Sequence, residues 1–363
     1  MHENNYCVIM AGGIGARFWP MSKTSRPKQF IDILGTGKTL IQQTFDRFLN
    51  VCPRENIFIV TNDIYKETIL DQLEGLSDNQ VICEPMRRNT APAIAYAAYK
   101  IGEINPEANL VVAPSDHIIL KEDSFTEIIL SALAAAAKND WLLTLGIKPS
   151  RPDTGYGYIQ YTDGHPYADD ERLRKVKTFT EKPNLELAKT FLDSGDFLWN
   201  SGIFIWSYKS IIRAFENHLV EVDHLFKEGV GIYNTPDEKA FIDRLFPVCK
   251  NISIDYGVME KAENVYVLES DFGWSDLGTW GSLFDIRQKD EHKNAIVGKN
   301  VLTFNTKNCI VNMPTDKLVV LQGLDDYIVV EDDGVLLICR KKDEQNIREI
   351  VNTVKLEKGD KFV

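Results

Sequence analysis

The stretch "CVIMAGGIGARFWPMSKTSRPKQF", residues 7–30, decides how the rest of the chain is read. An apolar run of strand length enters Gly12, Gly13 and Gly15, and Arg17, Lys23, Arg26 and Lys28 follow without an acid among them. Residues 1–30 carry a balance of +3, with Glu3 the one acid, inside a 363-residue chain of net charge −12. Glycines let backbone N–H groups approach phosphate oxygens with no Cβ in the way. Arg17 can fork across two oxygens, and Lys28 supplies a point charge. Pro20 and Pro27 stiffen the segment. A glycine turn in a solvated basic loop would explain the glycines, but not this much positive charge in an acidic protein. The stretch reads as a strand followed by a polyphosphate-binding loop.

Runs like the first recur downstream. "NIFIVTN" (56–62), "QVICEP" (80–85), "NLVVAPSDH" (109–117) and "WLLTLGI" (141–147) are short and apolar on both faces, as interior strands of a covered parallel sheet are. Between them, residues 39–52, 64–75 and 90–104 carry apolar side chains at helical spacing, the last announced by Asn89 and Thr90 as cap candidates with Pro92 in the first turn. The alternation predicts a doubly wound, mostly parallel α/β sheet of Rossmann-like type, with ligands at the carboxyl ends of its strands. From about 150 to 283 the pattern loosens into aromatic-rich pieces, "TGYGYIQY", "VKTFTEKP", "FLWNSGIFIWS" and "NISIDYGVMEK", read as short strands and loops walling a cleft. After the charged linker 286–295, residues 296–340 turn every eight to ten residues with little helix, and 343–352 reads as a short helical tail. The expected domains are 1–285, catalytic, and 286–363, holding the linker, a small β-helix-like domain and the tail.

Composition narrows the class. The 44% hydrophobic and 26% charged content is that of an ordinary globular protein. No run approaches the ~20 apolar residues of a membrane span, and "IILSALAAAAK" (128–138) reads as a buried helix. The polar start "MHENNY" predicts no secretory signal. Six cysteines without a CxxC pair, four of them (7, 83, 309 and 339) inside apolar runs, favour a reducing cytoplasm over disulfides or zinc. The acidic balance argues against nucleic acid as a partner.

Two glycine motifs are decoys. A dinucleotide fingerprint aligned on Gly13 and Gly15 finds Phe18 where its third glycine belongs, and Asp63 lies too far on for the ribose role. "LGTGKTL" (34–40) ends like a P-loop but has Asp32 in place of the first glycine, so it reads as a turn capping the next helix.

"AGGIGARFWPMSKTSRPKQF" resembles the signature of the sugar-1-phosphate nucleotidylyltransferases. "EPMRRNTAPAIA", "APSDHII", "FTEKP", "WNSGIFIW" and "FGWSDLGTW" narrow the likeness to the mannose-1-phosphate guanylyltransferases, in order through about the first 285 residues, and 290–340 resembles that family's β-helical linker. Many bacterial members continue into a phosphomannose isomerase domain. None follows here, so the resemblance implies one activity. It implies GTP and α-mannose 1-phosphate as substrates, GDP-mannose and pyrophosphate as products, and Mg²⁺ as cofactor.

Site residues follow from the residues and the likeness together. Asp116 and His117 close the strand of "APSDH"; an aspartate there is a helix cap or a metal ligand, and His117 either meets phosphate or is packed. Magnesium takes a few carboxylate oxygens plus phosphates and water, and the family pairs the first aspartate with one placed like Asp276 in "GWSDLGTW". Glu84 is a candidate acceptor for the guanine N1–H and N2–H₂ edge, with Asn89 and Thr90 in the same loop as donors or caps. Arg87 and Arg88 stay unassigned. By resemblance, Glu181 accepts sugar hydroxyls and Lys182 meets the sugar phosphate. Asn200 and Gly202 beside the apolar plate of Trp199 suit a hexose, and Gly155 and Gly157 allow its close approach. Trp141, Phe204 and Trp206 read as core.

The implied step is attack of the sugar phosphate on the α-phosphorus of GTP. No general base is needed, since a phosphate monoester with second pKa of ~6 is already anionic; Arg17 and Lys28 would hold the departing phosphates. Three competitors stand beside this reading: a glucose-1-phosphate enzyme using UTP or dTTP, a non-catalytic sugar-nucleotide sensor, and an NAD-dependent oxidoreductase. The sequence leaves the oligomeric state open, with the β domain a candidate homodimer surface.

Overall fold

The computed structural model describes residues 3–13, 16–162 and 170–363. Contacts divide the chain into two units. The first comprises Met1–Gly12, Thr44–Ser115 and Ile119–Trp274; the second comprises Gly13–Gln43, Asp116–Ile118 and Ser275–Val363.

The expected strands form β1 (Asn5–Met10), β2 (Ile57–Asn62), β3 (Val81–Glu84), β4 (Asn109–Pro114), the two-residue β5 (Ile118–Ile119) and β6 (Leu142–Ile147). Then come β7 (Tyr158–Tyr161), β8 (Leu173–Thr180), β9 (Phe197–Ser207), β10 (Val265–Ser270) and the two-residue β11 (Trp274–Ser275). The first unit holds a nine-stranded sheet in the order β3-β2-β1-β4-β9-β6-β10-β8-β7. Strands β3, β2, β1 and β4 run parallel, as do β6 and β10, while β9 is antiparallel to both β4 and β6. A parallel α/β sheet thus carries one reversed central strand, and β7 and β8 continue it as an antiparallel edge.

Helices α1 (Leu40–Phe48), α2 (Lys66–Gln72) and α3 (Thr90–Ile104) sit where the apolar spacing placed them, and α4 (Glu122–Lys138) buries Ile128, Ile129, Ala132, Leu133 and Ala136 along one face. Helix α5 (Leu185–Ser194) follows the "TEKP" turn with Asn184 as its cap. The loosened region then departs from expectation. Residues 208–245 fold as α6 (Tyr208–His218), α7 (Val220–Lys227) and α8 (Glu238–Leu245) rather than strands and loops. Ile211, Ala214 and Phe215, then Val222 and Phe226, recur at helical spacing and bury that face in the main core with Trp206 and Phe204. Trp141, expected in the core, is half-buried and stacks on Tyr266 at 4.2 Å. "NISIDYGVMEK" is not a strand either: Asp255–Met259 form a single π-helical turn.

In the second unit, α9 (Trp280–Ile286) precedes β12 (Ala295–Val297), β13 (Val301–Phe304), β14 (Ile310–Asn312), β15 (Val319–Gln322), β16 (Tyr327–Asp332) and β17 (Val335–Arg340). β12, β14 and β16 pair in parallel, with Ala295 opposite Ile310 and Ile310 opposite Ile328, and β13 pairs in parallel with β15. This is a short β-helix-like coil, closed by the antiparallel β17. The tail helix α10 runs over Ile347–Lys358, longer than expected.

The expected boundary at 285/286 falls inside this unit. Phe18, Trp19, Ile33, Leu277, Trp280, Ala295, Ile310, Ile328 and Ile347 share one buried cluster, so the chain after the first glycines belongs with the C-terminal coil. No helix among the described residues is long and apolar enough to cross a membrane.

Candidate active site

In the second unit, the chain beyond Gly13 is pinned by its aromatic residues. Phe18 packs on Trp280 at 5.2 Å between ring centroids, and Trp19 Nε1 donates to the Phe362 carbonyl at 2.7 Å. Gly15 lies outside the described residues. Lys28 follows Pro27 in a 3-10 turn and is 4% exposed. Its ammonium stands 2.9 Å from Asp116 Oδ2 and donates to the carbonyls of Asp276 and Leu277, each at 2.9 Å. Burial works to raise the Asp116 pKa, but Lys28 and His117 outweigh it and hold the carboxyl below its usual value. Arg17 NH1 reaches the Gly278 carbonyl at 3.5 Å, while its buried Nε has no partner.

The basic stretch is divided in its partners. Lys23 pairs with Asp333 at 2.6 Å and Arg26 with Asp332, both acids at the β16–β17 turn. The sequence presented four cations alike; Lys23 and Arg26 pair with acids of the C-terminal coil, Lys28 pairs with the candidate metal ligand Asp116, and Arg17 donates to a carbonyl, so Arg17 and Lys28 stay the phosphate candidates. Glu344, absent from the sequence reading, accepts from the Gly281 N–H at 2.8 Å; burial raises its pKa, against the pull of Gly281, Thr279 and Arg17. A residue some 60 positions past the last motif carries no local signal of this role.

Asp116 and Asp276 are gathered around one ammonium, Asp116 through its carboxylate and Asp276 through its carbonyl. Asp276 Oδ1 accepts from the Gly278 N–H at 3.1 Å. Among the described residues no group of three or more His, Cys, Asp or Glu is arranged as a metal cage. The hard carboxylate oxygens of Asp116 and Asp276 are of the type magnesium takes, and magnesium rarely has an all-protein shell.

In the first unit, Glu84 ends β3 and is buried, its Oε1 without a partner among the described residues. Burial pushes its carboxyl up to about 8, with Arg87 pulling the other way. Gly12 lies beside it, 3.8 Å from Glu84 Oε2 measured at the position of an added Cβ. Asn89, at φ +66°, caps α3 by accepting from the Thr90 N–H at 2.9 Å, and Thr90 Oγ1 accepts from the Ile254 N–H at 2.9 Å. The cap reading thus accounts for the Asn89 oxygen, while the Thr90 hydroxyl ties Ile254 to the start of α3. Arg88 donates to the carbonyls of Phe246 and Pro247.

The hexose candidates lie in the same unit. Glu181 ion-pairs with the exposed Lys182, and its buried Oε2 has no partner among the described residues. At Gly157 an added Cβ would stand 2.4 Å from that oxygen, so any side chain there would shift the Glu181 carboxylate. Asn200 Oδ1 accepts from Thr144 Oγ1 at 3.0 Å and from the Gly202 N–H at 3.1 Å, while Nδ2 donates to Asp255 Oδ1 at 3.0 Å. Gly202, at φ +71°, lies within β9 where its register against β6 shifts, a backbone conformation that glycine accepts. Gly155 is explained by its own turn, its N–H donating to Asp153 Oδ1 at 2.8 Å. Trp199 is not an open plate: it is buried, Tyr156 packs edge-on to it at 5.0 Å, and the Arg151 guanidinium lies 5.2 Å from its ring. Asp255 was missed because its stretch was read only as one of the short strands and loops, with no role for its acid.

Comparison with known proteins divides the chain elsewhere, between residues 293 and 299. Residues 6–293 match the family description "Nucleotidyl transferase", and 299–354 match "MannoseP isomerase/GMP-like beta-helix domain". The chain is 34% identical over 354 residues to the mannose-1-phosphate guanylyltransferase of Escherichia coli, covering 96% of this chain and 75% of that protein. It is 36% identical over 368 residues to that of Salmonella montevideo, covering 96% and 74%. The crystal structure of a mannose-1-phosphate geranyltransferase from Thermus thermophilus superposes with a TM-score of 0.85 at 28% identity, over 97% of this chain and 99% of that one.

Proposed function

The chain belongs to the nucleotidyl transferase family, and we propose that it transfers the guanylyl group of GTP to α-mannose 1-phosphate, giving GDP-mannose and pyrophosphate. One observation carries the reading: the guanylyltransferases named above match 96% of this chain at 34–36% identity. The family span, 6–293, also includes every candidate from Gly12 to Asp276.

The chemistry asks for position and charge, not a base. The sugar phosphate arrives as an anion and attacks the α-phosphorus in line with the departing pyrophosphate. Lys28 and Arg17, with the backbone N–H groups at Gly12, Gly13 and Gly15, neutralise the triphosphate as charge moves onto the leaving group. Lys182 orients the attacking phosphate, and Glu181 with Asn200, Gly157 and Gly202 takes the hexose. Glu84 accepts from the guanine edge, and accepting two N–H donors favours its ionised form. Asp116 and Asp276 would hold Mg²⁺, which when bound supplies Lewis-acid neutralisation of phosphate oxygens. The six free thiols suit a reducing cytoplasm.

The test is pyrophosphate release with magnesium, crossing GTP, ATP, UTP and dTTP against mannose and glucose 1-phosphates. Turnover is expected with GTP and mannose 1-phosphate and its loss in EDTA. Faster turnover with UTP or dTTP and glucose 1-phosphate overturns the assignments of Glu84 and Glu181. Tight GDP-mannose binding without any turnover replaces an enzyme with a sensor.

A further inference from the structure

Asp255 has no part in the reading so far, and its surroundings give it one. Asn200 is buried among partners that do not all care how its amide is turned. The Thr144 hydroxyl lies 3.0 Å from Asn200 Oδ1 and 3.1 Å from the Ile203 carbonyl. Donating to Ile203, it would accept from a flipped amide equally well. The Gly202 N–H requires the amide oxygen on its side, and Asp255 Oδ1, at 3.0 Å, requires the nitrogen on the other. Neither could tolerate a flip.

We propose that Asp255 is a positioning residue of the hexose 1-phosphate subsite, holding the Asn200 amide in one orientation beside the buried Glu181 carboxylate. The inference rests on the proposed function above. The fold keeps an acid here against two costs: burial and the neighbouring Glu181 push its pKa to about 6, opposed by Lys182 and the Asn200 amide. Glu181 Oε2, buried and without a partner, still needs a donor, and a sugar hydroxyl is both donor and acceptor. Asp255 is itself held in place. It begins the π-helical turn, and the residues before it bond to the start of α3: Ala91 N–H to the Ile252 carbonyl at 3.1 Å and Ile254 N–H to Thr90 Oγ1 at 2.9 Å. Single π-turns are frequent at functional sites.

The experiment measures initial rates of the full chain with GTP and mannose 1-phosphate each varied. Asp255→Ala is expected to raise the KM for mannose 1-phosphate about tenfold, with the KM for GTP within about twofold, the loss of one charge-assisted hydrogen bond. Asp255→Asn, which keeps an acceptor for Asn200 Nδ2, recovers most of that loss. If Asp255→Ala does not fold, Asp255→Ser, polar but too short to reach Asn200, replaces it. A sugar-phosphate KM unchanged within about twofold, or both KM values rising together, overturns the positioning role. Wild-type turnover with unchanged variants sinks this inference alone; absence of wild-type turnover sinks the reaction reading and the inference with it.

Discussion

The basic loop and the buried carboxylates of the first unit hold their charges in opposite ways. In the loop, cations come with partners: Lys28 with Asp116, Lys23 with Asp333 and Arg26 with Asp332. In the first unit, carboxylates are left short of donors. Glu84 Oε1 and Glu181 Oε2 are buried without a partner, and burial raises the pKa of Glu84 and of Asp255. A loop crowded with positive charge can fold before its anionic ligand arrives only if acids of the chain neutralise it. A pocket for hydroxyls and base N–H groups can leave acceptors unpaired, because burial protonates a lone carboxyl rather than forcing a bare charge into the interior.

The largest expected effect is at Lys28. Lys28→Met should lower kcat/KM by about 10²–10³-fold, the scale of losing a preorganised charge at the leaving group. Lys23→Met, which breaks a pair with an exposed acid, should leave kcat within about threefold. Equal losses at the two lysines would erase the distinction between the ligand cation and the structural one.

Gly157→Ala comes next. The new methyl would stand 2.4 Å from Glu181 Oε2, and displacing that carboxylate should raise the KM for mannose 1-phosphate by about 10-fold to 10²-fold. An unchanged value would remove Glu181 from the hexose subsite. Glu84→Gln should raise the KM for GTP about tenfold, since an amide replaces the carboxylate that accepts two donors. A substituted enzyme with an unaltered preference for GTP over ATP would free Glu84 from the base.

The smallest effect is on stability. The folded Glu84 carboxyl titrates at about 8 against an ordinary 4.5, so between those values the native state binds a proton that the unfolded chain has lost. Stability from this group therefore falls as pH rises through that window. The melting temperature of the wild type should decline more steeply from pH 5 to 8 than that of Glu84→Gln, and parallel slopes would show the carboxyl to be ionised when folded.

How much was legible depended on whether the signal was local. β1, the run into Gly12 and the alternation through β6 were readable because each strand is a short β-branched run and each helix repeats at its own period. The helices of 208–245 lay inside a region read as a whole as short strands and loops, though Ile211, Ala214 and Phe215 keep the helical spacing. Cap chemistry was local as well: Asn89 behaves as its sequence position suggests.

By itself, then, the sequence determined the α/β class, the glycine-lysine loop and the residue types that chemistry on a sugar phosphate requires. These depend on neighbours a few positions apart, where periodicity and turn chemistry act. Tertiary structure decided which cations are spoken for, since Asp333 lies 310 positions from Lys23. It also decided that residues 13–43 share a core with the C-terminal coil, and that Asp255 meets Asn200 across 55 positions. Charge pairing and amide orientation depend on distance in space, and burial sets a carboxyl's pKa; no spacing along the chain encodes either.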